Sequence, residues 1–131
     1  MFVISLWVGL GGALGSMARY WTSVLAARWW GEAFPWGTLV INILGSFVIG
    51  CFATLTLPGG PLPASVSARA FVMAGICGGY TTFSAFSLQT WDLVRAGDWV
   101  AACGNVVGSV MLCLIAVVTG HWLAMRIGVI R

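Results

Sequence analysis

Four long runs of this sequence carry almost no charge, and they constrain its fold more than any other feature. The runs cover residues 2–27, 33–57, 70–91 and 99–125. Arg19 is the only Arg, Lys, Asp or Glu inside them. A helix of about 20 residues crosses a hydrocarbon core of about 30 Å, so each run is long enough to span a membrane. Because backbone groups in lipid must pair within their own segment, we predict four α-helices.

The composition supports a membrane protein and argues against several functions. Only 7% of the residues are charged, whereas a soluble domain carries about 25%. A net charge of +3 is too sparse for a nucleic-acid surface. The chain has one histidine and no metal-ligand spacing, so we do not expect an enzyme. We predict an all-α, multi-pass membrane protein formed by a single domain over residues 1–131.

A few polar side chains lie inside the predicted spans, where they are costly and therefore informative. Thr38 and Asn42 share one helix face at an i, i+4 spacing, and so do Asn105 and Ser109. An asparagine amide cannot be fully satisfied by its own helix, so each needs a neighbouring helix, a water or an ion. Two interpretations of these asparagines stay open: they hold neighbouring helices together, or they line a pathway through the membrane. No carboxylate lies in a span, which argues against proton coupling, and the available donors favour a small anion over a cation.

The third span contains a segment that is a poor helix former at membrane depth. Two adjacent glycines, Gly78 and Gly79, are followed by two β-branched threonines, Thr81 and Thr82. We predict a break here, where freed carbonyl groups could hold a cation. A mild kink absorbed by threonine and serine side chains is the alternative.

Two phenylalanines follow this segment at an i, i+3 spacing, Phe83 and Phe86. An aromatic ring has a positive edge, so a dry anion could meet the two ring edges favourably. Ordinary packing between helices would use the same pair.

Three sequence motifs together resemble one known family. They are GGALGSMARY at residues 11–20, GTLVINILGS at 37–46 and GGYTTFSAFS at 78–87. In this order and in a chain of this length, they resemble the CrcB/Fluc family of fluoride ion channels. Two positions depart from the pattern that many members show, because Ala85 replaces a threonine and Asn105 replaces a tyrosine.

The resemblance implies an antiparallel, dual-topology homodimer in the cell's inner (plasma) membrane that lets fluoride leave the cytoplasm. It implies a structural Na⁺ at the dimer centre, held by the backbone carbonyls of Gly78 and Thr81. The residues implied for the fluoride pore are Asn42, Phe83, Phe86, Thr38, Ser109 and Arg19. Among these, Arg19 would attract the anion at an aqueous vestibule.

The arginines outside the spans are divided almost evenly between the two membrane sides. Arg69, Arg126 and Arg131 would share one side, and Arg28 and Arg95 the other. Since arginine and lysine set orientation, this balance is compatible with insertion in both directions or with one weakly specified topology. Other functions with the same span count are a proton-coupled multidrug exporter, which needs a membrane-embedded glutamate, and a non-transporting scaffold subunit.

Overall fold

The computed structural model describes residues 1–129. Arg131, which was counted above among the arginines of one membrane side, lies outside the described residues. All regular structure in this part of the chain is helical. The elements are α1 (Phe2–Trp30), α2 (Trp36–Leu55), α3 (Val66–Arg69), a π-helical segment (Ala70–Cys77), α4 (Gly78–Tyr80), α5 (Phe83–Arg95) and α6 (Trp99–Val129).

Four helical stretches are long and apolar enough to cross a membrane. They are Phe2–Trp30, Trp36–Leu55, Val66–Arg95 and Trp99–Gly128. Each one contains most of a predicted run, so the four-span prediction is confirmed. The first, third and fourth spans extend beyond the predicted ends into segments that contain arginines, because such residues are tolerated at the membrane interface. The second span, Trp36–Leu55, is shorter than its predicted run over residues 33–57.

The third span is composite and contains the predicted break. Its helix stops after Tyr80, and the backbone is extended at Thr81 (φ −76°, ψ 158°) and Thr82 (φ −153°, ψ 115°). Gly78 is still helical, with φ −64° and ψ −36°. The break therefore occurs at the β-branched threonines, whereas the glycines before it continue the helix.

Those glycines allow two helices to approach closely. A Cβ added to Gly79 would come within 2.5 Å of the Gly12 carbonyl oxygen, and one added to Gly75 within 2.9 Å of the Gly11 Cα. Small residues at such crossings are typical of helix packing in lipid. α1 consequently packs against the π-helical segment and α4, while α2 packs along α6.

Charged side chains lie at the ends of the spans and close the loops there. The Arg69 guanidinium donates to the Thr56 carbonyl oxygen at 2.7 Å, just beyond the end of α2. Within residues 1–129, the single ion pair joins Arg95 to Asp92 at 3.9 Å, on exposed side chains at the end of α5. Apart from Arg19 on α1, the middle of the spans is left to apolar groups and a small set of neutral polar groups.

Candidate functional site

Asn42 of α2 holds the break in the third span. Its Oδ1 accepts a hydrogen bond from the Thr82 N–H at 2.8 Å, and its Nδ2 donates to the Thr82 carbonyl at 3.1 Å. One side-chain amide thus pairs with both backbone groups of an extended residue, as a neighbouring strand would. Because unpaired backbone groups are costly in a membrane, this pairing stabilises the broken conformation.

The hydrogen bonds at the break also divert two donors from their helical acceptors. In a continuous helix, the N–H of residue i bonds the carbonyl of residue i−4. The Thr82 N–H would then bond Gly78, but it bonds Asn42 instead. The Ala85 N–H would bond Thr81, but it bonds the Thr82 hydroxyl at 3.2 Å. The carbonyls of Gly78 and Thr81 therefore lose their i+4 helical donors.

These two carbonyls are the ones predicted to hold a cation. Gly78 is exposed and Thr81 is half-buried. Neutral carbonyl oxygens suit a hard cation such as Na⁺, which prefers oxygen ligands. The donor set of this chain therefore fits the predicted ion, although two oxygens are fewer than such ions usually take.

A cavity of about 360 Å³ lies beside the break, and we call it the central cavity. Residues from α2, the π-helical segment, the break, α5 and α6 line it. Among its lining residues are Gly78, Thr81, Asn42, Phe83, Phe86 and Ser109. The structure thus brings together six residues that the sequence separates by up to 67 positions, from 42 to 109.

The two phenylalanines of the central cavity are in contact with each other. Their ring centroids are 5.3 Å apart and the ring planes are tilted by 48°. Phe86 is buried, whereas Phe83 is 78% exposed. Phe83 is therefore left largely uncovered by its own chain.

A second cavity of about 420 Å³, which we call the loop-side cavity, opens where the first loop meets the end of α5. Thr38 and Gln89 line it, together with Glu32 and Asp92. Thr38 is one helical turn before Asn42 on α2, and Gln89 is about one turn after Phe86 on α5. The two cavities therefore succeed each other along the same pair of helices. The structure places Thr38 in the loop-side cavity and Asn42 in the central one.

A chain of hydrogen bonds joins α5 and α6 beside the central cavity, and we call it the α5–α6 network. Asn105 is only 1% exposed, its Nδ2 donates to the Thr90 hydroxyl at 2.8 Å, and its Oδ1 accepts from Ser109 at 3.3 Å. The Thr90 hydroxyl donates in turn to the Phe86 carbonyl at 2.7 Å. Asn105 thus satisfies its amide by joining α6 to α5.

Arg19 is separated from the other predicted pore residues. It is half-buried on α1 and lines neither of the two cavities. Residues one turn to either side of it contact the third span, since Ser16 donates to the Gly79 carbonyl at 3.5 Å and Thr22 lies 3.2 Å from the Tyr80 hydroxyl. Its vestibule role stays a prediction.

Two residues that were not predicted from the sequence lie on the same helix face as Phe86. Gln89 lines the loop-side cavity, and its Oε1 is buried without a partner among residues 1–129. Thr90 belongs to the α5–α6 network. Their spacing from Thr82 and Phe86, three or four residues at each step, was the available signal.

The fold and the site define a multi-pass membrane protein with a cavity at a broken span, lined by apolar side chains and a few polar groups, as in channels and transporters. Comparison with known proteins gives the family. A family model described as "CrcB-like protein, Camphor Resistance (CrcB)" matches residues 6–121, and the chain belongs to this family.

Several curated relatives are similar over nearly the whole chain. One from Opitutus terrae is 60% identical over 88% of this chain and 88% of its own length. One from Rhodospirillum rubrum is 59% identical over 88% of this chain and 90% of its own. One from Methylocella silvestris is 51% identical over 93% of each chain. All three are named "Fluoride-specific ion channel FluC", which agrees with the expectation that this chain is not an enzyme.

Proposed function

We propose that this protein is a fluoride-selective channel that lets fluoride leave the cytoplasm across the inner membrane and so lowers its toxicity. The observation that carries the proposal is the central cavity, which gathers Asn42, Phe83, Phe86 and Ser109 beside the break. The relatives named as fluoride channels support the identity of the ion.

The groups around the central cavity can replace water around a small anion. Nδ2 of Asn42 carries two hydrogens, and its bond to Thr82 uses one of them. The second hydrogen is a donor for the ion. Phe83 and Phe86 present C–H edges with partial positive charge, and these edges bind an anion without offering it a counter-ion. Weak contacts of several kinds suit conduction, because the ion must also leave.

The two cavities follow one another along α2 and α5, and this arrangement suggests the route of the ion. Fluoride would pass the Thr38 hydroxyl in the loop-side cavity and then reach Asn42, Phe86 and Ser109 in the central one. Arg19, half-buried on α1, would raise the local anion concentration by its charge.

A structural Na⁺ is part of the proposal. The carbonyls of Gly78 and Thr81 would hold it, since their helical donors are diverted to Asn42 and to the Thr82 hydroxyl. Bound Na⁺ would supply a fixed positive charge beside the anion route. Because one chain offers two carbonyls, a second copy would complete the ligand set.

That second copy would form an antiparallel, dual-topology homodimer. Phe83 is 78% exposed beside the break, so a partner that covers the break would also enclose its ring. The near-even arginine distribution agrees with insertion in both orientations.

Fluoride efflux from liposomes tests the proposed function. The purified protein is reconstituted in vesicles loaded with fluoride or chloride, and release is followed with ion-selective electrodes in Na⁺ and in Na⁺-free media. We expect fluoride release, little chloride release, and lower fluoride flux once Na⁺ is removed from both sides. Equal release of the two anions would reject the proposal.

A further inference from the structure

In the α5–α6 network, each hydroxyl or amide hydrogen has one available acceptor, and this fixes the direction of every hydrogen bond. The Thr90 hydroxyl has one hydrogen, and the Phe86 carbonyl takes it at 2.7 Å. Towards Asn105, the Thr90 oxygen can therefore act only as an acceptor. This requirement turns the NH₂ group of Asn105 towards Thr90, at 2.8 Å.

The orientation of the Asn105 amide then determines the state of Ser109. With its NH₂ on Thr90, Asn105 presents Oδ1 to Ser109, and that oxygen can only accept. The single hydrogen of Ser109 is directed to this oxygen at 3.3 Å, away from the central cavity that Ser109 lines. In the absence of an anion, the Ser109 hydroxyl therefore presents the lone pairs of its oxygen, and not its hydrogen, to the central cavity.

We propose that Asn105, oriented by Thr90, is a positioning residue that weakens fluoride binding at Ser109. This inference rests on the proposed function. To bind fluoride, Ser109 must turn its hydrogen into the cavity, and the Asn105 Oδ1 then loses its only partner among the described residues. Because Asn105 is 1% exposed, water cannot replace that partner. The network thus opposes tight binding and favours release of the ion.

Replacing Thr90 by valine tests the orientation step. T90V keeps the shape of the side chain and removes the acceptor that selects the amide orientation. Asn105 can then turn its NH₂ towards the Ser109 oxygen, a bond that persists when the Ser109 hydrogen points at fluoride. We expect the fluoride concentration for half-maximal efflux to fall about fivefold. The reason is that fluoride binding at Ser109 no longer costs the Asn105 Oδ1 its hydrogen-bond partner.

Removal of the Asn105 oxygen should have the same effect by a second route. N105L leaves Ser109 without its internal acceptor, so we expect a similar fall in the half-saturating concentration. The two effects should not add in the double variant, because both release the same hydrogen. Either single variant tests the inference if the other does not fold.

Three controls separate positioning from general disturbance of the fold. T90S retains the hydroxyl and should behave as the wild type. T119V removes a hydroxyl with the same i−4 bond, from Thr119 to the Ile115 carbonyl at 2.7 Å, but with no amide partner, and should leave the half-saturating concentration unchanged. In an S109A background, T90V should no longer shift that concentration.

The inference is overturned if T90V and N105L leave the half-saturating concentration at the wild-type value, or if T90V shifts it equally in the S109A background. Both results presuppose that the wild type conducts fluoride. A wild type without fluoride flux would instead reject the proposed function itself, so the two failures are distinguishable.

Discussion

Replacement of Asn42 by leucine should remove the pairing that holds the third span open. Leucine has a similar volume but can neither accept from the Thr82 N–H nor donate to its carbonyl, so bonds of 2.8 and 3.1 Å are lost. Thr82 is 8% exposed, and water therefore cannot take the place of Asn42. Each orphaned buried group costs about 1–3 kcal/mol, so we expect a loss of about 2–6 kcal/mol in unfolding free energy.

The backbone could recover part of this loss by closing the break. The Thr82 N–H would then return to the Gly78 carbonyl, its ordinary helical acceptor. That closure would remove one of the two carbonyls proposed to hold Na⁺. If the break closes, N42L should also lose the stabilisation that Na⁺ would give the wild type by binding the folded state. If the break stays open, both carbonyls keep their free oxygens and the response to Na⁺ should remain.

Thermal unfolding in detergent, with and without Na⁺, measures both effects. We expect N42L to unfold at a lower temperature than the wild type, and to lose its dependence on Na⁺ if the break has closed. S46A is the matched control, because Ser46 lines the same central cavity from the next turn of α2 but makes no hydrogen bond to the break. If N42L unfolds at the wild-type temperature and keeps its response to Na⁺, the assigned role of Asn42 is wrong.

Three further predictions concern the cavity, the helix crossing and the topology. F83I and F86I should each slow fluoride efflux about tenfold, because a branched aliphatic chain lacks the positive ring edge. Gel filtration should show an unchanged oligomer, and efflux at the wild-type rate would contradict the ring-edge role. G79A places a methyl group against the α1 backbone and should destabilise the fold by about 1–3 kcal/mol. In the control G104A the added methyl group meets open space, so its melting temperature should stay at the wild-type value. A G79A melting temperature equal to that of G104A would contradict the close-packed crossing. A single cysteine in place of Ala96, in an otherwise cysteine-free chain, should be about half labelled by an impermeant reagent outside intact cells; complete or absent labelling would indicate one orientation.

Much of the fold could be predicted because the membrane leaves few choices. Charge-free runs of span length had to become helices, and the run over residues 99–125 corresponds closely to α6. The break was also predictable, since Thr81 and Thr82 are poor helix formers. Its exact place was not, because Gly78 and Gly79 stay helical where α4 is packed closely against α1. The π-helical segment has no local sequence signal.

The candidate site was predictable to a similar extent. Polar residues inside apolar spans singled out Asn42, Asn105 and Ser109, but the sequence left their partners open. The structure shows that Asn42 bonds the break and that Asn105 bonds Thr90. Such pairings depend on how the helices are rotated against each other, so spacing within one helix could not reveal them. Gln89 lies inside the predicted run over residues 70–91 and three residues after Phe86, so its polarity and spacing could have indicated it.

Conduction through the reconstituted channel in a planar bilayer tests the central claim most directly. With a fluoride gradient across the membrane and equal chloride on both sides, the reversal potential identifies the ion that carries the current. We predict a reversal potential that follows the fluoride gradient and does not move when chloride alone is varied. A reversal potential that follows chloride, or the absence of any protein-dependent current, would contradict the account.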